Sequence, residues 1–384
     1  MRIAFDGQLF LKGDKTGVGW CAESMMKCIG RYREVEKQLN YFSLGYTKES
    51  RAALQPLQEL GYELTACGWF HDAAYRMIWN DIRIPYSCFF GKKPDITVFF
   101  NFIVPPGVHG RTIAFVHDMA YQAFPDTVRK KTRHYLEGSM EKSCQRADKI
   151  IVISEFTRME LQKYLSVPED KIEVIPLGVD RSRFHPFYSG REIEDAKARY
   201  GIASAYLLYI GTIEPRKNIE RLLRAYALLK MKTKQVPELV LAGKKGWLYQ
   251  DIFRTVEELG LADCVRFTGY VADGDLPRLL CGAQAFVFPS VYEGFGLPIL
   301  EAMACGVPVV TSDTASMPET AGDAAVLADP TDPGSICDAM LMLLQDAEQR
   351  HKLSEAGLKR ARRYTWEKAA DRFLEVCNGL HCRE

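Results

Sequence analysis

The strongest constraint on the fold of this chain is an alternation of short apolar segments with helical ones along most of its length. In the first half, the pattern predicts β-strands at residues 3–5, 96–99, 112–116, 149–153 and 173–175. In the second half, it predicts strands at residues 206–210, 238–241, 265–267, 285–288 and 308–311. Strands that alternate with helices are typical of parallel sheets built from βαβ units. The predicted fold class is therefore α/β, with two Rossmann-like, doubly wound parallel-sheet domains.

The length of 384 residues supports two domains, because a single domain rarely grows to this size. The first is predicted to span residues 1–180 and the second residues 181–363. Between residues 176 and 200 the strand–helix rhythm breaks, and the charged run at 191–199 indicates an interdomain connection. Residues 364–384 are predicted to form a terminal helix with an apolar face, which needs a surface to cover, and the first domain is one candidate.

Composition excludes some classes of function. A net charge of +1 argues against a nucleic-acid binder that relies on a strongly basic surface. Eleven cysteines occur without a C-x-x-C pair, zinc-ligand spacing or a predicted signal peptide, which indicates a reducing cytosol. No apolar run approaches the roughly 20 residues needed to span a bilayer. We expect a cytoplasmic protein, either free or attached to the inner face of the plasma membrane, with no nucleic-acid partner.

Two loops that follow predicted strands have features of a phosphate site. Ligands of open α/β sheets bind beyond the carboxyl ends of the strands. The first loop contains Gly17 and Gly19 just before a predicted helix, which suits an anion, although a plain tight turn explains the glycines as well. The second, residues 211–218, places Arg216 and Lys217 at a helix start, where the helix dipole disfavours cations. A bound diphosphate would remove that conflict; the alternative is a solvated charged loop.

Two further loops carry carboxylates and a histidine. Glu293 precedes a glycine-rich turn and Glu301 lies in the helix after it, so the two need not share a helical face. One carboxylate would reach sugar hydroxyls and the other a ribose, because a carboxylate accepts two hydroxyl hydrogen bonds well. His117 and Asp118 directly follow a predicted strand, a position that suits a cleft between domains. The alternatives are a structural role for His117 and an ordinary helical acid at Glu301.

The sequence Asp273-Gly274-Asp275 matches the D-x-D signature of metal-dependent sugar transferases. It stands just before a helix predicted to begin near Leu276, where aspartate is a favoured N-cap. We interpret the two aspartates as helix caps and expect no metal site, with D-x-D metal binding as the alternative.

Together these motifs resemble glycosyltransferase family 4, a group of retaining enzymes with the GT-B architecture. The most specific parts are the segment from Glu293 to Glu301, which resembles the family's paired-glutamate motif, and Gly-Thr-Ile-Glu-Pro-Arg-Lys-Asn at 211–218. Supporting motifs are Thr-Gly-Val-Gly at 16–19, Val-His-Asp at 116–118, Ile-Ser-Glu-Phe-Thr at 153–157, Pro-Leu-Gly-Val-Asp at 176–180, Phe-Thr-Gly-Tyr-Val at 267–271 and Met-Pro-Glu at 317–319. The resemblance covers essentially the whole chain. Many members carry a double glycine where this chain has Thr16 and Gly17.

The resemblance implies a role for each of these residues. His117, Arg216, Lys217 and Glu293 are expected to act in catalysis. The implied donor-binding residues are Gly17, Gly211, Arg216, Lys217, Gly269, Tyr270, Val271, Glu293, Phe295, Gly296, Leu297 and Glu301. Within that set, the two cations would neutralise the diphosphate under the Gly17 backbone, Glu301 would hold the ribose, and residues 269–271 would meet the base. Glu293 and the backbone at 295–296 would hold the sugar, with His117 beside it and Asp118 on the acceptor side.

The implied GT-B architecture places two domains across a central cleft, with the first binding the acceptor, the second binding the nucleotide-sugar, and the terminal helix crossing back to the first. The implied reaction is metal-independent hexose transfer to a hydroxyl with retention, and the nucleotide-sugar co-substrate is the only cofactor-like requirement. The sequences at 213–218 and 115–118 are similar to those of bacterial surface-polysaccharide mannosyltransferases. GDP-mannose is therefore the expected donor, and a glycan or lipid-linked oligosaccharide the expected acceptor. The alternatives are a UDP-hexose donor or a non-catalytic nucleotide-sugar-binding relative.

Aromatic and basic residues in the first half also suit a peripheral membrane contact. The aromatic residues are Trp69, Phe70, Tyr75, Trp79, Phe89 and Phe90, and the basic ones are Lys92, Lys93, Arg129, Lys130, Lys131 and Arg133. Cations beside exposed aromatics favour an anionic bilayer surface. The alternative is that the aromatics are core residues and the cations form a solvated helix face.

Overall fold

The computed structural model describes residues 1–11, 17–79, 84–91 and 93–382. The chain divides into two compact units. Unit 1 comprises Met1–Tyr121, Lys130–Leu177 and Trp366–Glu384, and unit 2 comprises Gln122–Arg129 and Gly178–Thr365. The boundary predicted at residue 180 therefore falls at residue 177. The sequence pattern does not predict that Gln122–Arg129 belongs to unit 2.

Unit 1 contains a seven-stranded parallel sheet with the order β3-β2-β1-β4-β5-β6-β7. Its strands are β1 (Arg2–Asp6), β2 (Glu36–Phe42), β3 (Tyr62–Cys67), β4 (Ile96–Phe99), β5 (Arg111–Val116), β6 (Lys149–Val152) and β7 (Ile172–Val174). The five strands predicted in this half are present, and β2 and β3 extend the sheet beyond β1. Because β1 lies between β2 and β4, the strand order reverses direction at β1.

Helices connect these strands and cover the sheet. They are α1 (Gly17–Ile29), α2 (Lys48–Ala52), α3 (Gln55–Glu59), α4 (Asp72–Ile78), α5 (Ala120–Ala123), α6 (Lys130–Arg146) and α7 (Glu155–Tyr164). The middle residues of the central strands β1, β4 and β5 are buried and mostly apolar, as expected for a parallel sheet covered on both faces. Ser154 caps α7, since its side chain accepts a hydrogen bond from the Thr157 amide at 2.9 Å.

Unit 2 contains a six-stranded parallel sheet with the order β10-β9-β8-β11-β12-β13. Its strands are β8 (Tyr206–Ile210), β9 (Glu238–Ala242), β10 (Val265–Gly269), β11 (Ala285–Phe288), β12 (Val309–Ser312) and β13 (Val326–Ala328). Its helices are α8 (Gly190–Arg199), α9 (Ile219–Lys232), α10 (Gln250–Glu258), α11 (Leu276–Gly282), α12 (Leu297–Ala304), α13 (Met317–Ala321), α14 (Pro333–Gln345) and α15 (Ala347–Ala361). The predicted class, two α/β domains each with a doubly wound parallel sheet, is confirmed.

The last helix, α16 (Trp366–His381), packs against α1 in unit 1. The apolar face predicted for it is buried, and the Phe373 ring lies 6.2 Å from that of Phe5 and 6.1 Å from that of Phe115. At the edge of this contact, Arg31 pairs with Glu367 at 2.9 Å. The terminal helix therefore completes the domain formed by the start of the chain.

The charged run at 191–199 is helix α8 rather than an interdomain connection, so that prediction is wrong. Ser189 and Glu192 form a capping box at its start, in which the Ser189 hydroxyl accepts from the Glu192 amide and the Glu192 carboxylate accepts from the Ser189 amide. Helix α8 packs on α11, and Arg278 pairs with Glu192 at 3.2 Å. The charges are thus the exposed side of a helix that belongs to unit 2.

The segment Gln122–Arg129 packs within unit 2. The Phe124 ring lies 5.2 Å from that of Tyr292, and Trp247 Nε1 donates a hydrogen bond to the Thr127 carbonyl at 2.8 Å. The Arg129 guanidinium lies 5.0 Å from the centre of the Trp247 ring. Three side-chain contacts therefore attach this short segment to unit 2.

Most of the aromatic residues considered for membrane contact belong to the core of unit 1. Tyr75, Trp79, Phe89 and Phe90 are buried, whereas the exposed fraction of Trp69 is 67%. The predicted Lys92 lies outside the described residues. Over the ranges given above, no helix is long and apolar enough to cross a membrane.

Candidate active site

The two most specific motifs of the sequence meet where β8 and β11 end. These strands are neighbours, and β8 also pairs with β9, so the strand order of unit 2 reverses direction there. Crevices at such a reversal are where open α/β sheets bind ligands. The loop at 211–218 follows β8, and the loop at 289–296 follows β11. Their side chains therefore converge at one edge of the sheet.

Arg216 and Lys217 lie in a single 3₁₀ turn, Pro215–Lys217, just before α9. Asn218 ends this turn in the left-handed conformation (φ 61°), which asparagine tolerates better than most residues. Its side-chain amide donates to the carbonyls of Pro289 (2.9 Å) and Pro330 (2.7 Å). The cations are thus held ahead of the helix, on a turn that is bound directly to the neighbouring loop.

Both cations contact Glu293. Arg216 Nη1 donates to Glu293 Oε2 at 3.0 Å, and Lys217 Nζ donates to Glu293 Oε1 at 2.5 Å. Arg216 Nη2 also pairs with Glu214 Oε1 at 3.1 Å. All four side chains are at most 16% exposed. Two carboxylates and two cations thus form a compact, nearly dry cluster.

Burial and the neighbouring cations shift the pKa values of the two carboxylates of this cluster in opposite directions. Burial alone would raise the pKa of Glu293, but the adjacent Arg216 and Lys217 outweigh it and lower the pKa to about 2. Burial raises the pKa of Glu214, and Arg216 only partly offsets that effect. Glu293 is therefore an anion at neutral pH, as a ligand for sugar hydroxyls requires.

The turn after Glu293 is held in a fixed conformation. Gly296 adopts a φ of 86° directly before α12, which a residue with a side chain rarely adopts. Ser316 Oγ donates to the Glu293 carbonyl at 2.8 Å, and Thr320 Oγ1 donates to the Phe295 carbonyl. The backbone at 295–297 therefore passes from the glutamate into the helix along a defined path.

The loops after β8 and β9 also touch. A Cβ on Gly243 would lie 1.9 Å from the carbonyl oxygen of Gly211, so only glycine fits at that position. Gly211 itself has a φ of 156°, and its amide donates to the Ala242 carbonyl at 2.9 Å. Gly211 is thus a packing residue of the site as well as part of its motif.

Glu301 lies apart from this cluster, in the second turn of α12. Burial raises its pKa to about 7, Arg183 partly offsets this, and Asp273 adds to it. The structure therefore places the two predicted glutamates in different environments. Cations keep Glu293 ionised, whereas the pKa of Glu301 lies near neutral pH.

The predicted base-contacting loop follows β10. Gly269 has a φ of 70°, the exposed fraction of Tyr270 is 57%, and Val271 is buried. Tyr270 Oη donates to Asp273 Oδ1 at 3.2 Å, and Lys244 Nζ lies 4.8 Å from the centre of the Tyr270 ring. An exposed aromatic ring beside a carboxylate is suited to stack on a nucleotide base and to accept hydrogen bonds from it.

The capping prediction for the D-x-D sequence is wrong in its detail. Asp275 occupies the N-cap position of α11, but its side chain caps no backbone amide. Instead it accepts from Arg199 Nη2 at 2.5 Å and from Tyr200 Oη at 3.0 Å. Asp273 faces Tyr270, so the two aspartates serve different contacts. Among the residues the structure describes, no group of three or more His, Cys, Asp or Glu side chains could hold a metal ion.

The remaining predicted residues belong to unit 1. His117 is buried at the end of β5, where its Nε2 donates to the Phe100 carbonyl at 2.7 Å, and burial lowers its pKa. Asp118 Oδ1 accepts from the amide of Ala120, the first residue of α5, at 3.0 Å. Helix α1 begins at Gly17, so the expectation that Gly17 and Gly19 precede the helix is wrong, and both lie in its first turn. Residues 13–16 of the predicted glycine loop lie outside the described residues.

Sequence reasoning missed Glu214 and Arg183 and misjudged Asp273. Glu214 stands within the motif at 211–218. It differs from an ordinary acidic residue of a loop in being buried, with an exposed fraction of 3%. Arg183 Nη2 donates to the Asp273 carbonyl at 2.7 Å, a contact between residues 90 positions apart. Of these three residues, only Glu214 could have been recognised from the nearby sequence, because its carboxylate stands next to the paired cations.

Comparison with known proteins identifies the class. Residues 192–360 match the model of the glycosyl transferases group 1, and residues 45–183 match that of Glycosyltransferase Family 4. The sucrose-phosphate synthase (tll1590) of Thermosynechococcus elongatus has the same fold, with a TM-score of 0.75, 20% identity and full coverage of both chains. The glycosyltransferase WaaG also matches, with a TM-score of 0.71, 18% identity and coverage of 98% of this chain and 100% of WaaG. The fold and the matched families define a GT-B glycosyltransferase.

Sequence relatives narrow this further. The chain is 41% identical over 277 residues to the O-antigen chain mannosyltransferase B of Escherichia coli, covering 72% of each. It is 32% identical over 313 residues to the serotype-specific mannosyltransferase WbdA of Escherichia coli, spanning 79% of this chain but 37% of WbdA. The chain therefore belongs to glycosyltransferase family 4, and it is a hexosyltransferase of polysaccharide biosynthesis.

If Glu301 holds the ribose, as the resemblance implies, the affinity for GDP is expected to rise as the pH increases through about 7, because an ionised carboxylate accepts hydroxyl hydrogen bonds better than a protonated one. Calorimetric titration at several pH values measures this. The Glu301→Gln variant should retain only the pH dependence that comes from the phosphates. Superimposable pH profiles for the two proteins would contradict a ribose contact by Glu301.

Proposed function

We propose that the protein transfers mannose from GDP-mannose to a hydroxyl of a glycan or lipid-linked oligosaccharide, without a metal and with retention of anomeric configuration. The observation that carries the proposal is the cluster in which Arg216 and Lys217 meet Glu293 at the ends of β8 and β11. Two fixed cations suit a leaving diphosphate, and an ionised carboxylate between them suits the hydroxyls of the sugar attached to it. The O-antigen relatives support mannose as that sugar.

The chemistry requires stabilisation of a departing nucleoside diphosphate. The bond between the anomeric carbon and the phosphate oxygen breaks, and a bond to the acceptor oxygen forms on the same face. The acceptor proton passes to the leaving phosphate, so no separate base is needed. Arg216 and Lys217 would neutralise the negative charge that develops, a role that a metal ion fills in other transferases.

Asp273 supports guanine as the base. Guanine presents an N1–H and an N2 amino group side by side, and a carboxylate accepts both. Uracil presents one N–H between two carbonyl oxygens, which a carboxylate repels. Tyr270 Oη donates to Asp273 Oδ1 at 3.2 Å and orients the carboxylate beside the exposed ring. A UDP-hexose remains the second candidate donor, supported by a structural neighbour of the same fold, HepE of Anabaena, whose crystal structure is of a complex with UDP-glucose.

A panel of nucleotide-sugars with a mixed acceptor pool tests this function, with release of nucleoside diphosphate as the readout. We expect GDP-mannose to be consumed at an unchanged rate in EDTA. Asp273→Asn should lower the preference for GDP over inosine diphosphate, which lacks the N2 amino group. Asp275→Asn is the matched control, because that carboxylate is held by Arg199 and Tyr200. Consumption of a UDP-hexose alone, or activity that EDTA abolishes and manganese restores, would overturn the proposal.

We further propose that the enzyme works in the cytoplasm and contacts the membrane peripherally when the acceptor is lipid-linked. Lys130 and Lys131 begin α6 and are exposed, and Trp69 is exposed on the same unit. Each cation near an anionic surface contributes about 1 kcal/mol. Arg129 and Arg133 are less suitable, since Arg129 lies against Trp247 and Arg133 pairs with Glu137.

We expect flotation with anionic vesicles at low salt to recover the protein, and Lys130→Ser with Lys131→Ser to reduce that recovery severalfold. Raising the salt concentration should have the same effect, because screening weakens the attraction. The double variant Lys352→Ser with Lys359→Ser, on α15, serves as a charge-matched control. A wild-type protein that stays with the unbound fraction at low salt would exclude the membrane contact.

A further inference from the structure

Two cysteines of unit 2 lie side by side at the ends of neighbouring helices. Cys281 is in the last turn of α11, and Cys305 is the residue that ends α12, which packs against α11. Cys281 Sγ lies 3.9 Å from the Cys305 carbonyl oxygen. Cys305 Sγ lies 3.8 Å from the carbonyl oxygen of Pro277, one turn before Cys281 in α11. Each sulfur therefore contacts the backbone of the helix that carries the other.

The two thiols differ in access and in acidity. Both are free thiols, with Cys281 half-buried and Cys305 buried. A hydrogen bond from the Cys305 thiol lowers the pKa of Cys281, whereas that hydrogen bond and burial raise the pKa of Cys305. Because the thiolate is the nucleophile, a small oxidant reacts with Cys281 first and finds Cys305 beside it.

Cysteines in the core of unit 1 show the contrast. Burial raises the pKa of Cys21, Cys144 and Cys377, which makes these thiols unreactive. Such residues act as small hydrophobic side chains. The lowered pKa of Cys281 and its contact with a second cysteine are instead the features of a redox-active pair.

Both helices of the pair lead to predicted donor-binding residues. The Cys305 amide donates to the Glu301 carbonyl at 3.2 Å, so Cys305 closes the turn of α12 that carries Glu301. Helix α11 follows the predicted base-contacting loop at 269–271. A sulfur–sulfur bond of about 2.05 Å is shorter than any contact between unbonded sulfur atoms. Forming that bond would therefore draw the end of α12 towards α11 and shift Glu301.

We propose that Cys281 and Cys305 form a reversible disulfide when the protein meets hydrogen peroxide, and that this bond weakens nucleotide binding at Glu301. The effect on the nucleotide rests on the proposed function, whereas formation of the disulfide does not. In a reducing cytosol such a bond is transient, as expected of a redox-sensing pair.

The reaction takes place in two steps. The Cys281 sulfur attacks one peroxide oxygen, the O–O bond breaks, and Cys281 becomes a sulfenic acid as one water leaves. The Cys305 sulfur then attacks the sulfenic sulfur, and the hydroxyl leaves with the Cys305 proton as a second water. The two thiols together lose two electrons, and the peroxide gains them. Exchange with a dithiol reductant restores both thiols.

The first test locates the disulfide. The full chain is treated with hydrogen peroxide, its remaining thiols are alkylated, and it is cleaved after lysine, arginine and glutamate. Cys281 then lies in the peptide 279–293 and Cys305 in the peptide 302–319, so mass spectrometry detects their cross-link directly. We expect the linked pair in the wild type, its loss after dithiothreitol, and its absence in Cys281→Ser and Cys305→Ala.

Cys264→Ser is the matched control and should form the same linked pair as the wild type. Cys264 is also half-buried, but its sulfur accepts from Lys230 Nζ at 3.1 Å and donates to the Leu261 carbonyl at 3.4 Å. Absence of the linked pair from the oxidised wild type would overturn the proposal.

The second test measures GDP affinity by calorimetry before and after oxidation. We expect oxidised wild type to bind GDP severalfold more weakly, dithiothreitol to restore the affinity, and both single-cysteine variants to show no change. A linked pair that leaves GDP affinity unaltered, or a loss of affinity that persists in the variants, would contradict the proposal. Failure of the reduced wild type to bind GDP would instead count against the proposed donor, while the peptides still decide whether the disulfide forms.

Discussion

Replacing Arg216 or Lys217 with alanine is expected to slow transfer at least tenfold, and added magnesium should not restore the rate. Each side chain would contribute a charge-assisted contact to the diphosphate, and loss of such a contact costs about 1.5–3 kcal/mol. The Arg216 variant should be affected more, because its guanidinium also contacts Glu214 and the Tyr292 carbonyl (2.8 Å). Steady-state rates with saturating donor, together with the dissociation constant for GDP, measure the effect.

Arg224→Ala is the matched control, since Arg224 is half exposed on α9 and pairs with Glu220 within its own helix. The thermal midpoint of each variant separates unfolding from loss of function, because removing Arg216 leaves two buried carboxylates with less compensation. If both variants are folded and keep near-normal rates and GDP affinities, these cations do not bind the diphosphate.

Replacing Glu293 with glutamine is expected to lower turnover by a factor of ten or more while GDP binds at least as tightly as to the wild type. The carboxylate accepts from Lys217 at 2.5 Å and from Arg216 at 3.0 Å, so its removal takes away a negative charge that competes with phosphate for both cations. The sugar meanwhile loses an ionised acceptor for its hydroxyls. Calorimetry with GDP and rates with GDP-mannose separate the two effects.

Glu301→Gln should show the opposite pattern, with weaker GDP binding, because Glu301 lies away from the cations in the second turn of α12. Glu220→Gln, on the exposed face of α9, is a control that should change neither quantity. If both active-site variants lose GDP affinity to the same degree, the proposed division between sugar and ribose contacts fails.

Much of the fold could be predicted because most of its strands are apolar and short. The strand β2 escaped prediction because it contains Lys37, Gln38 and Asn40, all of which are buried. The fold brings partners to them: Lys37 Nζ donates to the Tyr32 carbonyl at 2.6 Å, and Gln38 Nε2 donates to Asn40 Oδ1 at 2.7 Å. Such pairings depend on the tertiary structure, so hydrophobic periodicity cannot reveal them.

The sequence predicted which residues belong to the candidate site, but not which of them contact one another. Motifs at 211–218 and 293–301 indicated the residues, and the adjacency of β8 and β11 explains why Arg216 and Glu293 meet. Nothing in the local sequence distinguishes Glu293, whose pKa is lowered to about 2, from Glu301, whose pKa is raised to about 7. That difference arises from which neighbours each carboxylate has after folding.

The return of α16 to unit 1 limits how relatives of this enzyme can exchange parts by recombination. A single crossover near residue 177 would give unit 1 a sheet from one parent and a last helix from the other. Phe373 would then meet foreign partners in place of Phe5 and Phe115, and Arg372 would lose Glu173, its partner at 3.2 Å. Two crossovers, near residues 177 and 365, instead exchange Gly178–Thr365 as an internal cassette and leave α16 with its own sheet. Functional hybrids are therefore expected to inherit unit 2 as an insertion, with the short segment Gln122–Arg129 as the part that must adapt to it.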